Sequence, residues 1–171
     1  MKSTIKTLLP LAAVALVLTL TAFDTPREAL SVAHTGDAWA QSTATYRVNP
    51  NFTDATAGTP AQQIAVLQRA ASEWRSAGQV PFEFIYGGTT TTQVIAPNDG
   101  VNAVFYLDQD GGGALATTTW SAFRNGDIAG FEIAFYDRDG AMNFVWAQSP
   151  NAGQFDIEFC FFFCCTCISC S

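Results

Sequence analysis

The sequence predicts an α+β domain, a twisted mixed β-sheet with one long amphipathic helix on a face. Three observations lead there. A capped helical pattern falls between two strand-like segments. Four further strand patterns follow it with no second long helix among them. Asn/Asp/Gly clusters separate those strands at turn spacing.

The first strand is residues 44–48, with Tyr46 and Val48 on one side, and Asn49-Pro50-Asn51 ends it. Thr59-Pro60-Ala61-Gln62 then starts a helix. Thr59 caps, Pro60 suits the first helical position, and Gln62 completes a capping box. Ile64, Leu67, Ala71 and Trp74 form its apolar stripe. Gln63, Arg69, Glu73 and Arg75 make the polar face, and Gly78 the C-terminal cap.

Residues 81–86 alternate, with Phe82, Phe84 and Tyr86 on one face. Residues 102–107 (NAVFYL) are almost wholly apolar, as a strand buried on both faces requires. Residues 114–119 are small and β-branched, and 131–136 alternate again. Residues 144–146 add a short strand. Turns are expected at Asn98-Asp99-Gly100, residues 110–113, Asn125-Gly126 and Asp139-Gly140.

The two ends read differently. Lys2 and Lys6 precede a 16-residue apolar stretch, residues 8–23, and Ala38-Trp39-Ala40 makes an A-x-A-like cleavage site. Residues 1–40 are therefore expected to be an export signal and spacer, which predicts a secreted protein with no stable membrane span after cleavage. The last 13 residues, 159–171, read FCFFFCCTCISCS and hold all five cysteines. Cys164, Cys167 and Cys170 have C-x-x-C spacings that fit a thiol metal cluster or a disulfide knot. The abrupt shift in composition points instead to translation in a displaced reading frame.

Charge and rare residues narrow the chemistry. A net charge of −7 with no basic cluster argues against nucleic acid as a partner. The one histidine, His34, lies before the cleavage site, so residues 41–158 contain neither His nor Cys. That stretch has no Ser–His–Asp triad, no Cys–His pair and no His/Cys zinc site.

Across residues 44–158 the order of segments resembles the matrixin branch of the metzincin zinc proteases. YRVNPNF, the long helix ending near Trp74, PFEFIYGG, NAVFYLD, GGGALATTTW, GFEIAFYDRD and SPNAGQFDIE carry the likeness. The resemblance implies a secreted zinc endopeptidase acting on extended peptide or protein. In that family, the equivalent of GQFDIE leads into a helix bearing H-E-x-x-H. Its two histidines lie on one face and grip zinc, its glutamate is general base, and a third histidine leaves one position open. This chain follows the pattern to Glu158 and then departs, so zinc is expected for the family but its ligands are absent. The expectation is an incomplete zincin-like scaffold over 41–158, catalytically inactive. The alternatives are a peptide-binding pseudoprotease and a small secreted adhesion-like β domain.

The resemblance further implies that Gly113, Ala114, Leu115 and Ala116 belong to the edge strand that pairs with substrate main chain. The expected position of a structural-zinc histidine holds Thr117. Two D-x-D-G turns, with Asp108 and Asp110 and with Asp137 and Asp139, offer oxygens of the kind calcium favours. Loss of the zinc helix is expected to uncover Phe131, Ile133, Phe135 and Trp146. A Phe/Cys tail without helical patterning is expected to cover them poorly, giving a marginal, aggregation-prone fold.

Overall fold

A computed structural model describes residues 38–78 and 82–161. The apolar export stretch and Cys164, Cys167 and Cys170 lie outside the described residues. The fold is mixed α/β, with a multi-strand mixed sheet and few helices. In chain order come β1 (Thr43–Val48), a 3-10 turn (Ala55–Ala57), α1 (Pro60–Gly78), β2 (Glu83–Thr89), β3 (Ala103–Asp110), β4 (Ala116–Ala122) and β5 (Ile128–Asp139). The short strands β6 (Met142–Asn143), β7 (Trp146–Ala147) and β8 (Phe155–Asp156) follow.

The main sheet runs β2-β1-β3-β5-β4, with β6 appended to β5. β1 is parallel to β2 and β3, and β3 to β5; β4 alone of the five joins antiparallel. Strands β3 and β5 extend beyond the expected ranges because their polar ends, Asp108–Asp110 and Asp137–Asp139, still pair across the sheet.

The capping box forms as read: the Thr59 N–H donates to Gln62 Oε1 (2.9 Å), and the Gln62 N–H to Thr59 Oγ1 (3.4 Å). The buried stripe is different. It comprises Gln63, Val66, Leu67, Ala70, Ala71 and Trp74, while Ile64 is only partly covered. Those six positions follow i, i+3, i+4, i+7, i+8 and i+11, the wide stripe of a core-facing helix. Gln63, expected on the polar face, is buried because it satisfies a backbone turn. Its Nε2 donates to Phe52 O and Gly58 O (both 3.0 Å), and its Oε1 accepts from the Phe52 N–H (3.2 Å).

Phe131, Ile133, Phe135 and Trp146 are all fully buried, against the expectation that they would lie open. For Phe135 and Trp146, part of the cover comes from the loop after β1. Phe52 stacks edge-on against Phe135 (5.1 Å) and Trp146 (6.0 Å). Trp146 is pinned at three points: its N–H donates to Asp54 Oδ2 (2.8 Å), its Nε1 to Tyr136 O (2.8 Å), and its carbonyl accepts from Thr56 Oγ1 (2.6 Å).

Residues 157–161 are helical, although the sequence from 159 was read as an aberrant tail. Asp156 Oδ1 caps them, accepting from the N–H groups of Glu158 (2.8 Å) and Phe159 (3.2 Å). Ile157 and Phe161, four apart, are fully buried, and the Phe161 ring lies 5.9 Å from Tyr46. Phe159 faces outward.

Candidate functional site

Because β1, β2, β3 and β5 run parallel, their carboxyl ends open on the same side of the sheet, where open α/β sheets bind ligands. A surface cleft of about 310 Å³ lies there, lined by Asn51, Thr53, Gln93, Tyr106, Asp108 and Gln109 among others. Asn51 continues β1 as a side-chain strand: its Nδ2 donates to Tyr106 O (2.8 Å), and its Oδ1 accepts from the Tyr106 N–H (2.9 Å).

Tyr106 donates its hydroxyl to Asp137 Oδ1 at 2.5 Å. Burial, then this bond to a carboxylate, pushes the phenol up to about 12. The same bond, helped by Arg138, holds Asp137 below the usual carboxylate range. Arg138 Nη1 lies 2.7 Å from Asp137 Oδ2 and 2.8 Å from Asp108 Oδ1. The cluster is thus a set of charge-assisted bonds tying β3 to β5. At neutral pH the phenol stays protonated and the carboxylate ionised.

The four aspartates of the D-x-D-G turns separate into different roles. Asp108 and Asp137 meet at Arg138, which stands where a cation between them would have to sit. Asp110 accepts from the N–H groups of Gly112 (2.8 Å) and Gly140 (3.0 Å), joining the two turns, and these bonds lower its pKa. Asp139 pairs through its backbone with Met142 at the hairpin. Among the described residues, no group of three or more His, Cys, Asp or Glu is placed to hold a metal ion. No histidine follows His34, so the H-E-x-x-H ligands of the resembled family are absent from the sequence. Glu158 is held bidentate by Arg69, with Nε 3.0 Å from Oε1 and 2.9 Å from Oε2.

Of the edge-strand residues, Ala116 opens β4 opposite Phe135. Leu115 already pairs, its carbonyl accepting from the Tyr136 N–H (2.9 Å), while the Ala114 N–H turns back to Gly111 O (3.2 Å). Gly113 sits at φ 95°, a turn conformation that favours glycine. The residues that pair with β5 therefore start two positions later than Gly113, because the Asp110–Gly113 turn needs those positions to reverse the chain.

A second feature escaped the sequence reading. Glu132, between Phe131 and Ile133 on β5, is 1% exposed, and neither carboxylate oxygen makes a normal hydrogen bond. It lies on the face of the sheet away from α1, beside Ala134 and opposite Ala103 of β3 and Thr119 of β4. The β2–β3 loop passes over this face. A Cβ added to Gly130 would meet Pro97 O at 2.5 Å, and Ser121 Oγ donates to the same carbonyl (2.8 Å). Burial, and then the charge of Asp99 in this loop, pushes Glu132 up to about 7, with the Ala96 N–H pulling partly back. The available signal was its position. Period-two alternation puts it beside Ala134, against a neighbouring strand that is apolar on both faces.

No family model matches the chain, and a search of curated proteins returns no match.

Proposed function

We propose that this chain is a catalytically inactive, secreted scaffold of the zinc-endopeptidase type whose remaining capacity is to bind extended peptide at Gly113–Ala116, where the β4 edge begins. The carrying observation is the place of Ala116 at the start of β4, which among the described residues is the last strand in the sheet order and antiparallel to β5. An extended segment added beyond such a strand gains main-chain hydrogen bonds without any catalytic group. Two further facts support the reading. Residues 157–161 turn helical directly after Gln154-Phe155-Asp156, the point at which the resembled family enters its active-site helix. The segment brings Phe and Cys there and no histidine.

The test uses the purified exported protein. It should retain no stoichiometric zinc and leave casein intact with zinc added. Unstructured peptides should shift the backbone amide resonances of Gly113–Ala116 in a titration. One tightly held zinc with casein cleavage would refute inactivity, and unmoved Gly113–Ala116 amides across a diverse peptide panel would refute binding.

A further inference from the structure

Glu132 is sealed beneath a loop that few contacts hold down. The β2–β3 loop leaves β2 at Thr89 and crosses the sheet face away from α1 before β3 begins at Ala103. Between Thr92 and Gly100, two side chains tie it to the rest of the sheet: Asn49 Nδ2 donates to Thr92 O (3.1 Å) and Ser121 Oγ to Pro97 O (2.8 Å). Its largest apolar side chains, Val94 and Ile95, are exposed and add little by burial. Gly88 (φ 104°) and Gly100 (φ 81°) flank it, and glycines accept the backbone rotation that a hinge needs.

Among the described residues, nothing beneath the loop gives Glu132 a counter-charge. β3 presents Ala103, β4 presents Thr119 and Ser121, and β5 presents Gly130 and Ala134. Arg47 of β1 shares the row beyond Ala103 but turns away, with Nη1 3.5 Å from Thr89 O. Tyr136, further along β5, directs its hydroxyl to Thr117 Oγ1 (2.9 Å). The loop itself brings the Ala96 N–H and a like charge, Asp99. A neutral carboxyl tolerates this dry place. An ionised one has one donor, no cation and a repelling neighbour, and it is better placed in water.

We propose that the β2–β3 loop is a proton-controlled strap: protonated Glu132 keeps residues 93–100 docked on β3 and β5, and loss of the proton favours the lifted loop. The release is local. It wets Ala103, Phe105 and Ala134, which form a small apolar cluster apart from the main core, and leaves the α1 side packed.

The experiment is residue-resolved amide exchange by NMR on the purified protein at pH 5 and pH 8, corrected for the intrinsic pH dependence of exchange. Protection of the Ala96 amide should fall roughly tenfold or more from pH 5 to pH 8, while the amides of β1 keep theirs. Glu132→Gln should abolish the fall. Asp99→Asn retains an acceptor for the Val101 N–H (2.8 Å) and removes the repelling charge, so it should shrink the fall. No fall at Ala96, an equal fall in β1, or a fall that persists in Glu132→Gln would each overturn the strap. Should Glu132→Gln not fold, Asp99→Asn decides alone, and a fall as large as the parent's would refute the proposal.

Discussion

Gln63 on α1 holds both backbone groups of Phe52, accepting from its N–H and donating to its carbonyl. This side chain fixes the loop after β1, and through Phe52 the aromatic cover over Phe135 and Trp146. Gln63→Leu keeps the volume and deletes three hydrogen bonds, leaving buried backbone groups unsatisfied. We expect a loss of about 2–4 kcal/mol in urea unfolding. Gln68→Ala, on the exposed side of the same helix, should stay within about 0.5 kcal/mol of the parent.

Glu132 sets a pH dependence of unusual sign for a carboxylate. Its folded pKa, about 7, lies above its unfolded value of 4.5, so the folded state binds more protons in between. Stability is then full below pH 4.5 as far as this group is concerned. It falls as pH rises through 7, by roughly 2–3 kcal/mol in all. Urea melts at pH 5 and pH 8 read this directly. Glu132→Gln should flatten the difference, and an equal slope in parent and variant would refute the assignment.

Asp137 and Asp110 act in the opposite direction at a lower pH. Both have folded pKa values below the ordinary carboxylate value of 3.8. The stability they contribute is present above that value and is lost as pH falls through their folded pKa values. Asp137→Asn should remove part of the acid-induced loss below pH 4. In a spectrophotometric titration it should also make Tyr106 ionise below its parent value of about 12.

The start of the C-terminal segment is part of the core. Phe161→Ala should cost about 3–4 kcal/mol, as for a fully buried ring, whereas Phe159→Ala should be near neutral. Equal effects for the two would mean that the segment does not pack as a helix on Tyr46.

Much of the architecture was legible because it is written locally. Thr59 and Gln62 are three apart, and their capping box forms from that spacing alone. Residues 102–107 read as doubly buried because β3 lies between β1 and β5. What stayed hidden depends on distant partners. Gln63 looks like a surface residue until Phe52 is placed beside it. Trp146 looks uncovered until Asp54 and Thr56, some 90 residues earlier, reach it. The burial of Glu132 depends on where the β2–β3 loop crosses β5, and no period in the sequence encodes that crossing. The candidate cleft was half legible. The aspartate pairs stood out, but Arg138 between Asp108 and Asp137 was read only as part of a turn.

The place of β1 in the sheet has a consequence for the order of assembly. Its pairings join residues 40 to 56 positions apart, Thr43 with Glu83 and Arg47 with Ala103, so each closes a long loop. The β4–β5 hairpin, by contrast, closes over a few residues between Ala122 and Ile128. Local hairpins form fast and distant parallel pairings slowly. The first strand to leave the ribosome is thus among the last to find its neighbours. A polypeptide threaded through an export channel from its N-terminus would pass through unpaired and complete its sheet only on the far side.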